Sequence, residues 1–267
     1  MWLQELPDLV AELTSRWSLT VSAPFEHEGG SCSWVAPARR SNGERVVLKI
    51  GAPHMEADQE IDALQLLNGD PTVHLFEADA DSNAMLLEEC QPGIPLRTQS
   101  VTQQNHVLAA ALRRIWAARV NSDLFRPLST MIAYWSEETQ RDRDRWSDSS
   151  LILDGLAVFQ ELSQAGAGDV LLATDLHAGN VLRARREPWL VIDPKPFIGD
   201  PAYDATQHLL NMRKQLAASP EDTIQEFAEL LGVDPRRVRL WLFSRLAAEP
   251  RDIWDTESID LARRLRG

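Results

Sequence analysis

The stretch "TDLHAGNVLRARREPWLVIDPK", Thr174 to Lys195, decides how the rest of the chain is read. A polar loop carrying Asp175 and Asn180 sits between apolar, strand-like runs. A further acid, Asp193, follows Asn180 by thirteen residues, at the end of the next such run. A β-hairpin between Asn180 and Asp193 would bring those two side chains near one another, because residues that bracket a hairpin meet across it. Two oxygen-bearing side chains there can hold Mg²⁺, a hard cation that accepts carboxylate and amide oxygens and keeps phosphate oxygens as its other ligands. Asp175 is then placed to accept a hydroxyl proton. This is the layout of phosphoryl transfer.

Upstream, the texture changes twice. Leu3, Leu6, Leu9, Val10, Leu13 and Trp17 fall at helical spacing, so the first seventeen residues read as an amphipathic helix. From Val21 to Ile50, strand-like runs surround two turn signals, Gly29-Gly30 and Asn42-Gly43. "HMEADQEIDALQLLNG", from His54, reads as a helix that stops at Asn68-Gly69. "TVHLFEAD" and "AMLLEEC" read as two more strands. "QPGIPL", Gln91 to Leu96, is a Pro/Gly break and a natural hinge. Beyond it come three long helical patterns, two short strand-like pieces around the opening motif, and three or four helices after Asp200. The plan is α+β, with a β-rich N-lobe over residues 1–90 and a mostly helical C-lobe over residues 91–267.

Composition narrows the partners. The net charge of −13 repels nucleic acid, whose binding rests on cationic neutralisation of phosphates. It is compatible with a cationic small substrate, although acidic surfaces also serve solubility alone. No run approaches the 18 apolar residues of a membrane span, and the N-terminus carries Glu5, Asp8 and Glu12 where a signal peptide would be basic and then apolar. A cytoplasmic location is expected, with no membrane partner. Cys32 and Cys90 make no disulfide framework and read as two reduced, buried thiols.

The loop with its later acid resembles the catalytic loop and metal-binding Asp of the protein-kinase-like two-lobe fold. More closely, "TDLHAGNVL" together with "REPWLVIDPKPFIGDPAYDATQHLLN" is similar to the streptomycin/hydroxyurea phosphotransferase family, a branch of the aminoglycoside phosphotransferases. "EADQEIDAL" and "LLEECQPGIPL" fit that family's N-lobe and hinge, and the likeness extends from Pro24 to Met212. The resemblance implies an ATP- and Mg²⁺-dependent kinase, acting as a monomer or dimer on a hydroxyl of a small acceptor: an aminoglycoside, hydroxyurea or an amino sugar. A metabolic amino-sugar or amino-alcohol kinase, and a nucleotide-binding pseudokinase, are the alternatives. Protein kinase activity is disfavoured. H-R-D, D-F-G and A-P-E are missing, and "GDPAYD" follows Lys195 too soon for an activation segment.

The resemblance also assigns residues. Asp175 is the catalytic base, and Asn180 with Asp193 holds the metal. Lys49, in the strand-like "VVLKI", is the cation for the nucleotide phosphates, and its burial among Val46, Val47, Leu48 and Ile50 demands a partner. Glu60 is favoured over Glu56, because apolar Ile61, Ala63 and Leu64 follow it. Gly29, Gly30 and Ser31 offer N–H groups to phosphate, or form a plain turn. Glu88, Glu89 and Cys90 enter as hinge positions whose backbone meets the adenine edge. Where many relatives read His-Gly-Asp, this chain reads Ala173-Thr174-Asp175, which leaves the bracing of the loop open, with His177 either a brace or a packed core side chain. Lys195 either touches the transferred phosphoryl group or pairs with Asp200 or Asp204. Candidates for lining an acceptor cleft are Trp135, Glu138, Asp142, Asp204, Trp241 and Trp254. Against each stands a plainer reading: core tryptophans, a solvated helix face, and a structural carboxylate at Asp204.

Overall fold

Alternating apolar side chains between Leu19 and Glu88 assemble, in this computed structural model, into one antiparallel sheet. The structure describes residues 2–25, 32–55, 58–120 and 124–266. The strands are β1 (Leu19–Val21), β2 (Ser33–Arg40), β3 (Arg45–Gly51), β4 (Leu75–Asp79) and β5 (Ala84–Glu88), in the order β1-β2-β3-β5-β4. Asn42-Gly43 turns β2 into β3. Gly43 takes a φ of 86°, and the Asn42 side chain accepts the Glu44 N–H at 2.9 Å. Gly29, Gly30, Ser31 and Glu56 lie outside the described residues.

Successive side chains of a strand point to opposite faces, and β3 uses both. Val46, Leu48 and Ile50 are fully buried against α1 (Trp2–Arg16), whose Leu13 joins the same cluster. Val47 packs on the other face, with Met85, Leu87 and the Ile61 and Leu64 side chains of α2 (Glu60–Leu67). Lys49 shares the parity of Val47, so it points toward α2. That helix starts six residues later than the sequence pattern suggests. Regular helix begins where Ile61 and Leu64 dock. It ends at Asn68 and Gly69, with φ values of 44° and 85°.

The chain forms two units. The first holds Met1–Leu96 and Val181–Asp193; the second holds Arg97–Asn180 and Pro194–Gly267. The expected boundary after Cys90 is therefore moved, and a later hairpin, β7 (Val181–Arg183) with β8 (Trp189–Val191), belongs with the sheet. Hydrogen bonds explain both changes. Gly93 N–H donates to the Arg183 carbonyl and Arg183 N–H to that of Ile94, tying the Pro/Gly run to β7. Val191 N–H donates to the Pro71 carbonyl, and Val73 N–H to that of Val191.

The second unit contains α3 (Val101–Trp116), α4 (Leu128–Arg141), α5 (Ser149–Leu162) and a short ladder of β6 (Val170–Leu172) with β9 (Phe197–Gly199). Five helices follow among the described residues: α6 (Pro201–Asn211), α7 (Arg213–Ala218), α8 (Pro220–Leu231), α9 (Pro235–Ala248) and α10 (Thr256–Leu265). Each of α6, α9 and α10 is capped by an Asp side chain that accepts a first-turn N–H, from Asp200, Asp234 and Asp255. Tyr203, Phe159, Phe227, Trp241 and Phe243 are almost fully buried among these helices.

Candidate active site

In the first unit, Lys49 is 5% exposed and Glu60 is 0% exposed. Lys49 Nζ lies 2.6 and 2.7 Å from the two Glu60 oxygens and also donates to Asp193 Oδ1. A buried ammonium ion is tolerable only with such partners. Asp193 closes the stretch after β8 with a φ of 56°, in the left-handed region, where Asp is among the few residues tolerated.

The hinge positions lie in the same unit. Glu89 accepts both Nε and Nη2 of Arg45 at 2.5 Å, and these bonds hold its carboxyl below the usual range. Burial, reinforced by the Glu88 charge, pushes the Cys90 thiol up to about 12, so it stays protonated at neutral pH. The expectation of two buried thiols is corrected: Cys32 is exposed and Cys90 half-buried, both free. Cys32 stands just before β2 and is absent from the apolar cluster on that sheet.

In the second unit, the loop from Ala173 to Asn180 is held from below by one carboxylate. Asp204, on α6, is 1% exposed. It accepts the N–H of Ala173 at 3.1 Å, that of Thr174 at 2.8 Å and the Trp116 indole N–H at 2.8 Å. Burial raises its pKa to about 6, against the lowering effect of those three donors. Thr174 has a φ of 43°, uncommon for a β-branched residue. Its hydroxyl donates to the Lys195 carbonyl at 2.7 Å, and Lys195 N–H donates to the Ala173 carbonyl at 3.0 Å. Thr174 thus contributes a brace of its own.

Two further bonds shape the loop. His177 Nδ1 accepts the Gly179 N–H at 3.0 Å, so this ring is engaged within the loop. Asn180 Nδ2 donates to the Asp175 carbonyl at 3.1 Å, which turns its amide oxygen the opposite way. Asp175 itself is half-buried.

The suggested acceptor residues fare differently. Trp135, Trp241 and Trp254 are core side chains, 8%, 0% and 6% exposed, and are corrected as cleft-lining candidates. Trp241 donates to Asp200 and Trp254 to the Ala247 carbonyl, so each indole N–H has a partner inside the helical packing. Asp204 takes the structural-carboxylate reading, because it is buried and its donors are the loop N–H groups and the Trp116 indole. Glu138 and Asp142, on and after α4, are half-buried: Glu138 accepts the Tyr134 hydroxyl at 2.9 Å, and Asp142 faces Arg145 at 3.7 Å. Lys195 is buried. The carboxylates proposed for it take other donors, Asp200 those of Arg237, Trp241 and Ala202.

Trp116 and Arg245 were passed over in the sequence. Arg245, 4% exposed, donates to Glu249, Thr206 and Gln207 and lies over the Trp135 and Tyr203 rings. Trp116 carried no local signal, since Asp204 lies 88 residues away, whereas Arg245 has a local partner in Glu249 and distant ones in Thr206 and Gln207.

The fold is that of a kinase-like phosphotransferase. The chain superposes on choline kinase LicA from Streptococcus pneumoniae with a TM-score of 0.69, at 14% identity and 98% coverage of both chains. It superposes on a spectinomycin phosphotransferase, solved in complex with ADP and spectinomycin, with a TM-score of 0.57, at 16% identity and covering 96% and 93% of the two chains. The sequence places it further. A sequence model of the aminoglycoside/hydroxyurea antibiotic resistance kinases matches residues 16–251, and the chain belongs to that family. It is 34% identical over 289 residues to a streptomycin 6-kinase of Streptomyces glaucescens, covering 100% of this chain and 91% of that one. It is 32% identical over 267 residues to a hydroxyurea phosphotransferase of Kitasatospora aureofaciens, covering 98% and 76%. The resemblance drawn from Asp175 to Asp204 is thereby borne out, and the protein is an ATP-dependent phosphotransferase. Among the described residues, no helix is long and apolar enough to cross a membrane.

Proposed function

We propose that this enzyme transfers the γ-phosphoryl group of ATP to a hydroxyl of an aminoglycoside of the streptomycin kind, or to a hydroxyurea-type acceptor, in the cytoplasm. The observation that carries the reading is the Lys49–Glu60–Asp193 cluster, in a chain of this family that also retains Asp175 and Asn180. The relatives named for streptomycin and hydroxyurea support the choice of acceptor. The first unit binds the nucleotide, with Lys49 neutralising phosphate charge and the backbone of Glu88 to Cys90 meeting the base. The second unit supplies the catalytic loop and receives the acceptor.

The donor set suits Mg²⁺. Asp193 offers a carboxylate, and Asn180 offers an amide oxygen whose nitrogen is already engaged by the Asp175 carbonyl. When bound, the metal neutralises charge on the β- and γ-phosphates. Asp175 accepts the hydroxyl proton of the acceptor as the new P–O bond forms and the bond between the γ-phosphorus and the departing ADP breaks. Its backbone is held by Asp204 through the adjoining N–H groups, so the carboxylate meets the acceptor without reorganising the loop.

A panel of aminoglycosides, hydroxyurea, amino sugars and amino alcohols, scored for ATP consumption, tests the proposal. Turnover with streptomycin-like compounds or hydroxyurea supports it. Turnover confined to amino sugars or amino alcohols moves the enzyme to a metabolic role, and ATP binding without any turnover identifies a pseudokinase.

A further inference from the structure

Arg186 lies in the turn of the β7–β8 hairpin, in the charged run "RARRE". Its guanidinium is nevertheless engaged along its whole edge. Nη1 donates to the Gly69 carbonyl at 2.9 Å, and Nη2 donates to that of Thr72 at 2.8 Å. Nε and Nη2 also reach the Glu88 carboxylate, at 3.2 and 2.9 Å. Glu88 in turn accepts the His74 N–H at 3.1 Å. One planar fork thus joins three segments of the first unit: the hairpin turn, the loop that follows α2, and the end of β5.

The elements that flank those segments carry the carboxylates that surround Lys49. Glu60 opens α2, which runs through Asn68 and Gly69 into the loop held by Arg186. Asp193 follows β8, and Val191 of β8 is bonded to the same loop at Pro71 and Val73, at 3.0 Å each. The loop is therefore clasped twice by the hairpin, at its root by Val191 and at its turn by Arg186. Any slip of the loop shifts α2 relative to β8, and with it the separation of Glu60 and Asp193. Lysine could not replace the fork, because a single ammonium ion cannot span two carbonyls and a carboxylate in one plane.

We propose that Arg186 is a positioning residue for the nucleotide: by fastening the Gly69–Thr72 loop to the hairpin, it fixes the spacing of Glu60 and Asp193 about Lys49. It touches no reacting atom. The proposal rests on the assignment of the Lys49 cluster to ATP.

The test measures ATP binding by calorimetry, in the presence of Mg²⁺, together with steady-state kinetics, on the full chain and its Arg186→Ala and Arg186→Lys variants. Arg186→Ala is expected to weaken ATP binding and raise the ATP KM by on the order of tenfold, the scale of a lost charge-assisted set of hydrogen bonds. The acceptor KM should stay within about twofold, and Arg186→Lys should recover only part of the loss. A lower melting temperature with wild-type ATP affinity would make Arg186 purely structural and overturn the proposal, as would equal rises in both KM values. If Arg186→Ala does not fold, Arg186→Lys carries the same comparison: an intermediate loss supports the proposal and wild-type affinity overturns it. A wild-type chain that fails to bind ATP removes the assignment of the Lys49 cluster, and this proposal with it. Wild-type binding matched by the variants removes only the role of Arg186.

Discussion

Lys49, Asp175 and Asp204 show how differently one charged side chain can be used. Lys49 is buried between two carboxylates, so Lys49→Ala should abolish turnover and also destabilise the fold by roughly 3–5 kcal/mol, because Glu60 is left buried without its cation. Urea denaturation beside an ATPase assay reads both effects. Asp175→Asn should cut kcat by about 10²-fold or more, the scale of a positioned general base, while ATP affinity holds within a few fold. A collapse of nucleotide affinity with turnover of the bound complex intact would instead make Asp175 a binding residue. Asp204 has a folded pKa of about 6 against a reference of 3.8, so the folded state takes up its proton first. Its ionisation therefore costs stability above pH 6, and that cost is relieved as pH falls from 6 toward 4. His208 works the other way. Burial lowers its pKa from 6.5 to about 4, so stability is lost as pH falls through the same window. The opposed slopes mask each other in the wild type. Against an Asp204→Asn variant, the wild type should gain relative stability between pH 7 and pH 5, read as a shift in urea midpoints.

Among the elements, α5 and α9 depend on a glycine. Gly155 lies in mid-helix, where Ala would ordinarily be favoured by about 1 kcal/mol. A Cβ there would meet the Ala247 Cβ at 2.8 Å and the Ala248 Cβ at 3.0 Å, and neither methyl can rotate away. Gly155→Ala should therefore lower stability by roughly 1–3 kcal/mol through overpacking, with a reduced melting temperature as the readout and ATP affinity unchanged. The sheet was easier to foresee than this contact. Strand periodicity in "RVVLKI" and the Asn42-Gly43 turn specify β3 and its neighbour locally. β9, three residues long, depends on its pairing with β6, which lies well before it in the chain.

The whole molecule carries a net charge of −13. If the acceptor is a polycationic aminosugar, its KM should rise steeply from low to high ionic strength, since exposed attraction is screened beyond about 8 Å at physiological salt. A neutral acceptor such as hydroxyurea should show almost no change. A flat response with the best acceptor would leave Glu138 and Asp142 as surface carboxylates. The sequence by itself determined the β-rich first stretch and the helical remainder, the hairpin that separates Asn180 from Asp193, and the demand of Lys49 for an acid on α2, because these follow from alternation, turn chemistry and the cost of a buried charge within short stretches. Only the tertiary structure decided that Asp204 holds the loop, that three tryptophans are core, and that residues 181–193 belong to the first unit. Those outcomes hang on pairings such as Trp116 with Asp204 and Val191 with Pro71. A side chain's local pattern reports whether it can be buried, whereas its partner is chosen by segments that meet only when the chain has folded.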